Sequence, residues 1–141
     1  MIIDYQTFRK QNNKELSDFM DKNIFFAFDN EQFEKGLEKV HATKDDIVSI
    51  GFGGFMTKEQ QKAYKDLSNK QLQDLRNYML NDYTQARKAF LFEMINHECM
   101  YSGDYEEVLE VLALTQDDLK NNRKLQQAFD YARKQCMKRA M

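Results

Sequence analysis

Proline is absent from this chain of 141 residues, and glycine occurs only five times. Proline breaks helices because it lacks an N–H and clashes with the preceding turn, and glycine weakens them through backbone entropy. A chain nearly free of both accommodates long helices well. Its length is that of one ordinary domain, so a single domain over 1–141 is expected. A chain of that size buries roughly two-thirds of its unfolded surface and needs no disulfide or metal staple. Apolar residues at 42% and charged residues at 31% match globular usage and disfavour disorder. Tryptophan is missing while Phe (11) and Tyr (7) are plentiful. The expected core is therefore built on Phe, Leu and Met.

Hydrophobic spacing divides the chain into elements. Tyr5, Phe8, Leu16 and Phe19 share a face, which predicts a helix over 4–21. The apolar run Ile24-Phe25-Phe26-Ala27-Phe28 reads as a buried strand. Asp29 or Asn30 then caps a helix carrying Phe33, Leu37 and Val40. A second strand is expected in 46–55, where β-branched residues favour extension and the glycines permit a bend or a hairpin.

Everything after Phe55 reads as helix. Thr57 with Gln60 and Ser68 with Gln71 form capping-box patterns, so 58–81 is one long helix or two. Residues 83–101 are apolar nearly all round, as in a central buried helix. Ser102-Gly103-Asp104 is a turn, and Tyr105, Val108, Leu109 and Leu112 form a helical stripe. Thr115 with Asp118 opens a short helix. A last helix has one stripe of Leu125, Ala128, Phe129, Ala132 and Cys136. The expected fold is α+β and predominantly α. A small two-stranded β element near the N-terminus packs with a bundle of about five to six helices.

Charge is uneven. Residues 1–88 are balanced, 89–118 carry eight acidic side chains and no Lys or Arg, and 119–141 carry seven basic ones against Asp130. The net charge of −2 gives no overall field for nucleic acid or membrane. The plain reading is that acidic block and basic tail neutralise each other across packed helices. The sharper one is that a block is a docking surface, with Asp104, Glu106, Glu107, Glu110, Asp117 and Asp118 as the candidate partner-binding residues. No stretch reaches the length of ~18 apolar residues that a membrane span requires. The first residues lack the pattern of a secretory signal. A cytoplasmic protein with Cys99 and Cys136 reduced is the expectation.

Candidate chemistry is sparse. His41 and His97 are the sole histidines. A continuous helix would place Glu93, His97 and Tyr101 on one face with Glu98 and Cys99 beside it, a polar site suited to acid–base work. Asp104 is the nearest further ligand for a metal, but neither HExxH nor Cys-x-x-Cys is present, so no metal or cofactor is expected. The plainer reading of the Glu93–His97 pair is a structural hydrogen bond. Gly51-Phe52-Gly53-Gly54 follows a strand and is expected to precede a helix, so Gly51, Gly53 and Gly54 are candidates for cradling a phosphate. The third glycine of the dinucleotide fingerprint is replaced by Met56, and Gly-Lys-Ser/Thr is missing. No nucleophile is activated: Cys99 lies on a different side of a helix from His97, and Ser49 and Ser102 lack an elbow. The chain reads as non-enzymatic. A helix-turn-helix over 115–140 is an alternative, with Asn121-Asn122 as its turn and Arg123, Lys124, Arg133, Lys134, Lys138 and Arg139 meeting phosphates. Its acidic preceding helix argues against it.

Three stretches resemble a known family when taken together. They are Asn23–Phe33, Ile47–Phe55, and Asn96-His97-Glu98 leading to Tyr101-Ser102-Gly103-Asp104. In that order and spacing they are similar to small uncharacterised proteins of bacteriophages and mobile elements of gut bacteria, from about residue 4 to residue 135. The resemblance carries no activity and no functional residues. It implies a setting, the cytoplasm of a bacterial host, and a role as an accessory protein acting on a host or anti-phage defence protein. The alternatives are a small enzyme or ligand-binding protein using the glycine turn with Glu93, His97 and Glu98, and the DNA-binding regulator.

Overall fold

A computed structural model describes residues 2–140. Its elements in chain order are α1 (Tyr5–Asn23), β1 (Phe25–Phe26), α2 (Asn30–Val40), β2 (Ile47–Gly51), β3 (Gly54–Thr57), α3 (Lys58–Asn81), α4 (Tyr83–Asn96), α5 (Cys99–Ser102), α6 (Glu106–Val111), α7 (Gln116–Asn121) and α8 (Arg123–Lys138). The fold is predominantly α with a small sheet. Two compact units emerge. One holds Gln11–Lys70, the other the described residues up to Lys10 together with those from Gln71 onward.

The first unit contains the sheet, which has three antiparallel strands in the order β1-β3-β2 rather than the two strands expected. The expected second strand is a hairpin. Phe52 and Gly53 between β2 and β3 have φ of 54° and 78°, as a two-residue type I′ turn requires. Ile50 is the extra residue of a bulge, with Ser49 opposite Phe55 and Gly51 opposite Gly54. β1 is shorter than expected and is not buried throughout. Ile24, Phe25 and Ala27 are buried, while Phe26 and Phe28 point outward with period two.

The inner face of that sheet is aromatic. Phe25, Phe33 and Phe55 lie with ring centroids 5.2–5.8 Å apart. Gly36 on α2 lets the helix settle onto Phe25, since a Cβ there would fall 1.9 Å from the ring. Asp29 caps α2 by accepting from the N–H of Gln32 at 2.8 Å, as its sequence position predicts. The Lys39 ammonium donates to the carbonyls of Asp21 and Ile24, meeting acceptors that the end of α1 leaves open.

The second unit is built on α4 and α8, which pack along their apolar faces. Ala86 and Ala89 meet a face that includes Ala128 and Ala132, and the Phe90 and Phe129 rings sit edge-on at 5.3 Å. Val108, Leu109, Leu112 and Leu119 from α6, α7 and their links complete the core, with Tyr78 and Met79 of α3. The five residues expected to line α8 are its five buried residues. Tyr5 and Phe8 belong here too; Phe8 stacks on Tyr78 at 4.3 Å, and the Tyr78 hydroxyl donates to the Ile3 carbonyl.

Three further expectations are revised or resolved. The helix expected over 83–101 breaks: α4 ends at Asn96, Glu98 takes a left-handed φ of 53°, and α5 is a single turn. That break adds the short α5 and brings the described residues to eight α-helices, where a bundle of about five to six was expected. Residues 58–81 form one helix, so Ser68 lies inside it while Thr57 caps it through the Gln60 N–H.

Candidate functional site

Glu93 is the one buried charged side chain of the described core, at 3% exposure. It sits in the last turn of α4, on the side facing the start of α1. The Tyr5 hydroxyl donates to its Oε1 at 3.3 Å, and Arg9 Nε lies 3.3 Å from the same oxygen. His97 Nε2 is 4.0 Å from Oε2, and the opposite ring nitrogen, Nδ1, is 3.1 Å from Glu107 on α6. Burial, then the Glu93 charge, pushes the Tyr5 phenol far above its usual range. Tyr78 nearby is raised to about 12, mainly by burial. Both tyrosines stay protonated donors at any ordinary pH, and Arg9 supplies the charge that lets Glu93 remain buried.

The structure gathers only part of the expected polar site. Glu93 and His97 meet. Tyr101 does not continue their face, because the chain reverses at Glu98 before α5; it is exposed, as is Glu98. Tyr5 and Arg9, which complete the cluster, are more than eighty positions away in sequence and could not be paired with Glu93 by local spacing. A cavity of about 300 Å³ opens beside Tyr5, with Lys88, Phe92 and Arg139 in its wall. Neither Glu93 nor His97 lines it. The cluster holds α1 to α4, and a substrate in that cavity would not touch its carboxylate. No group of three or more His, Cys, Asp or Glu able to hold a metal exists among the described residues.

The glycine turn is also not where a phosphate cradle requires it. Gly51, Gly53 and Gly54 lead into β3, and the next helix, α3, starts only at Lys58. This corrects the expectation of a turn between strand and helix. The Phe28 ring covers Gly53 so closely that a Cβ there would lie 2.4 Å from it, and Ile50 covers Gly54. The glycines make room for the chain's own side chains.

What these contacts create is a surface that spacing alone did not single out. Phe26, opposite Gly54, is 62% exposed, and Phe28 over Gly53 is 78% exposed. Ile50 packs on Gly54 beside them, and Phe52 at the tip of the turn is 98% exposed. Phe52 also holds a left-handed backbone, a conformation that costs a non-glycine residue roughly 1–2 kcal/mol.

The acidic candidates divide by role. Asp118 is the third residue of α7 and completes a capping box with Thr115. It also receives both guanidinium nitrogens of Arg76, at 2.7 and 2.5 Å. Hydrogen bonding from Arg76 holds its carboxyl far below the usual range despite opposing desolvation. Glu107 faces His97. Asp104, Glu106, Glu110 and Asp117 are exposed on or beside the short helices. The partners of Glu93 and Asp118 are Arg9 and Arg76, outside the basic tail. The neutralisation expected between block and tail is therefore not how these two are balanced. α4 and α8 meet through apolar faces, leaving the cations outside.

Asn122 alone joins α7 to α8, serving as C-cap of one and N-cap of the other. A helix-turn-helix joint usually takes three to four residues.

Compared with known proteins, residues 4–135 match a family model described as "Family of unknown function (DUF7659)". No curated protein and no solved structure matches the chain.

Proposed function

The chain belongs to this family of unknown function, and on that premise we propose that it is a non-enzymatic protein-binding module, an accessory protein of a phage or mobile element that inhibits a host or defence protein in the bacterial cytoplasm. The observation that carries the binding role is the exposure of three phenylalanines at and beside the β2–β3 turn. A phenylalanine left in water forgoes roughly 1.5–3 kcal/mol of burial. Here Phe26, Phe28 and Phe52 are all exposed, with Ile50 among them. Large apolar side chains gathered in water around one turn mark protein contacts. Phe52 adds backbone strain that contributes nothing to its own fold, which suits a side chain kept for a partner. The partner presents an apolar groove that takes these rings. Asp104, Glu106, Glu110 and Asp117 are a second, charged contact surface, which adds speed and selectivity of encounter more than affinity. The setting rests on the resemblance carried by three stretches, two of which, Asn23–Phe33 and Ile47–Phe55, contain the exposed phenylalanines.

A tagged pull-down from host lysate, with and without nuclease, tests the reading. One host protein retained after nuclease is expected with the native chain. It is lost with Phe28→Ser and Phe52→Gly, and weakened about tenfold with Glu106→Lys and Glu110→Lys. Phe52→Gly should raise stability by roughly 1 kcal/mol, because it relieves the positive φ. Capture that persists through the aromatic substitutions would overturn the surface assignment. Loss of all bound material with nuclease would overturn the protein partner.

A further inference from the structure

The outer flank of α8, beside its buried stripe, carries Lys124, Gln127, Tyr131, Lys134 and Lys138. Their spacings of three, four, three and four align them along about 21 Å of helix at 1.5 Å per residue. α4 runs beside the first half and adds Tyr83 and Arg87. With Lys124, Gln127 and Tyr131 they line a cleft of about 410 Å³. Beyond Tyr131 a wider groove of about 820 Å³ is lined by Tyr105, Arg133, Lys134, Met137 and Lys138. Tyr131, half exposed, is the wall common to both.

Five cations line these two clefts and no carboxylate does; among the described residues, Arg133 alone of the five has an acidic neighbour, Asp130 at 3.8 Å. The chain as a whole is slightly acidic, so this clustering is local. Two of the cations lean on aromatic rings: Arg87 lies over Tyr131 with its Cζ 4.8 Å from the centroid, and Lys124 lies over Tyr83 at 6.0 Å. A ring quadrupole orients a cation without neutralising it, so the charge stays available to an anion. The stripe is as long as about six stacked nucleotides at 3.4 Å each. Cations that follow a phosphate chain, interrupted by an exposed ring and a guanidinium plane, are the pattern that holds unpaired bases. An acidic peptide would use the cations but not the rings, and a duplex would offer phosphates with its bases already stacked.

We propose that the α4–α8 face binds single-stranded nucleic acid, with Arg87, Lys124, Lys134 and Lys138 on phosphates and a base stacked at Tyr131. This goes beyond the protein-binding role and does not depend on it. The surface lies across two helices and is not the reading head of a helix-turn-helix.

Fluorescence anisotropy with the full chain tests it, using labelled 15-mers of dT and of U, a duplex of equal length, and poly-glutamate as competitor. At about 50 mM salt both single strands should bind at least tenfold more tightly than the duplex, and the ratio between them tells RNA from DNA preference. With three to four phosphates engaged, log K should fall against log salt with a slope of about −2 to −3. Lys134→Glu with Lys138→Glu should weaken binding at least tenfold and flatten that slope. Tyr131→Ser should weaken it at least fivefold with the slope unchanged. All three positions are exposed, and circular dichroism with thermal melting reports whether the variants fold; Lys134→Gln with Lys138→Gln serves if charge reversal disturbs α8. Binding absent at low salt, duplex bound as well as single strands, or substitutions without effect would each overturn the proposal. Displacement by poly-glutamate as effective as by oligonucleotide would overturn it in favour of an acidic peptide.

Discussion

The Asp118 carboxylate accepts two hydrogen bonds from Arg76 and two from the Thr115 N–H and hydroxyl, so one side chain closes the start of α7 and ties α3 to it. Arg76 also donates to the Ala113 carbonyl, where the backbone turns with a φ of 59°. Solvent reaches the Arg76 end, whose side chain is 36% exposed. The pair is therefore worth about 1–2 kcal/mol rather than the 3–5 of a fully buried one. Asp118→Asn should cost that much in urea denaturation at neutral pH. The carboxyl is depressed in the folded state, so its contribution is complete above the ordinary carboxylate value of about 3.9. It fades as pH falls below that value toward the lower folded one. Native and variant stabilities should converge only in strong acid; convergence already at pH 5 would contradict the assignment. Asp118 as a cap was legible because its partner Thr115 is three residues away. Arg76 was not, because it is 42 residues away and nothing local distinguishes it from other arginines.

At the scale of elements, Gly36 separates two effects that a sequence cannot rank. In an exposed helix interior Gly→Ala gains roughly 1 kcal/mol of helix propensity. On α2 the added Cβ would lie inside the Phe25 ring's contact distance, at 1.9 Å. The strain of displacing a packed aromatic is typically 1–3 kcal/mol, so packing outweighs propensity. Gly36→Ala should destabilise the chain by about 1–2 kcal/mol, measured by thermal melting; a rise in Tm would show that α2 does not rest on Phe25. Helix faces were readable where the period ran unbroken: all five apolar residues expected on α8 are buried. The break after Asn96 was not. Residues 83–101 are apolar nearly all round, so the pattern had little phase to lose, and Glu98 gives no glycine or proline signal for its left-handed turn. The hairpin was half legible. Its glycines announced a bend, but Phe52 at a positive φ contradicts the residue preference of the turn it occupies.

Across the whole molecule, the two thiols test the core. Cys99 and Cys136 are unpaired and buried, and desolvation raises both above their usual range. The Cys99 thiol also donates to the Asp104 carbonyl. A buried, protonated thiol reacts slowly because the thiolate is the nucleophile. Native protein should leave both thiols unmodified by Ellman's reagent over minutes and yield two on denaturation, and reducing agent should leave Tm unchanged. Rapid native reactivity would mean that α5 and the end of α8 open far more readily than their packing implies. No helix of the described residues is long and apolar enough to cross a membrane.

Local chemistry settled what lies within one turn or one period: the helical character, the caps at Asp29, Thr57 and Thr115, the buried stripe of α8. Those interactions join residues three or four apart, and their partners are visible in a short window. The tertiary structure decided the rest. It paired β1 with the far strand of the hairpin, brought Tyr5 and Arg9 to Glu93, exposed three phenylalanines around Gly53 and Gly54, and set Arg87 over Tyr131. Each of these depends on which distant surfaces fill the same space, a competition of packing and desolvation that no local pattern encodes.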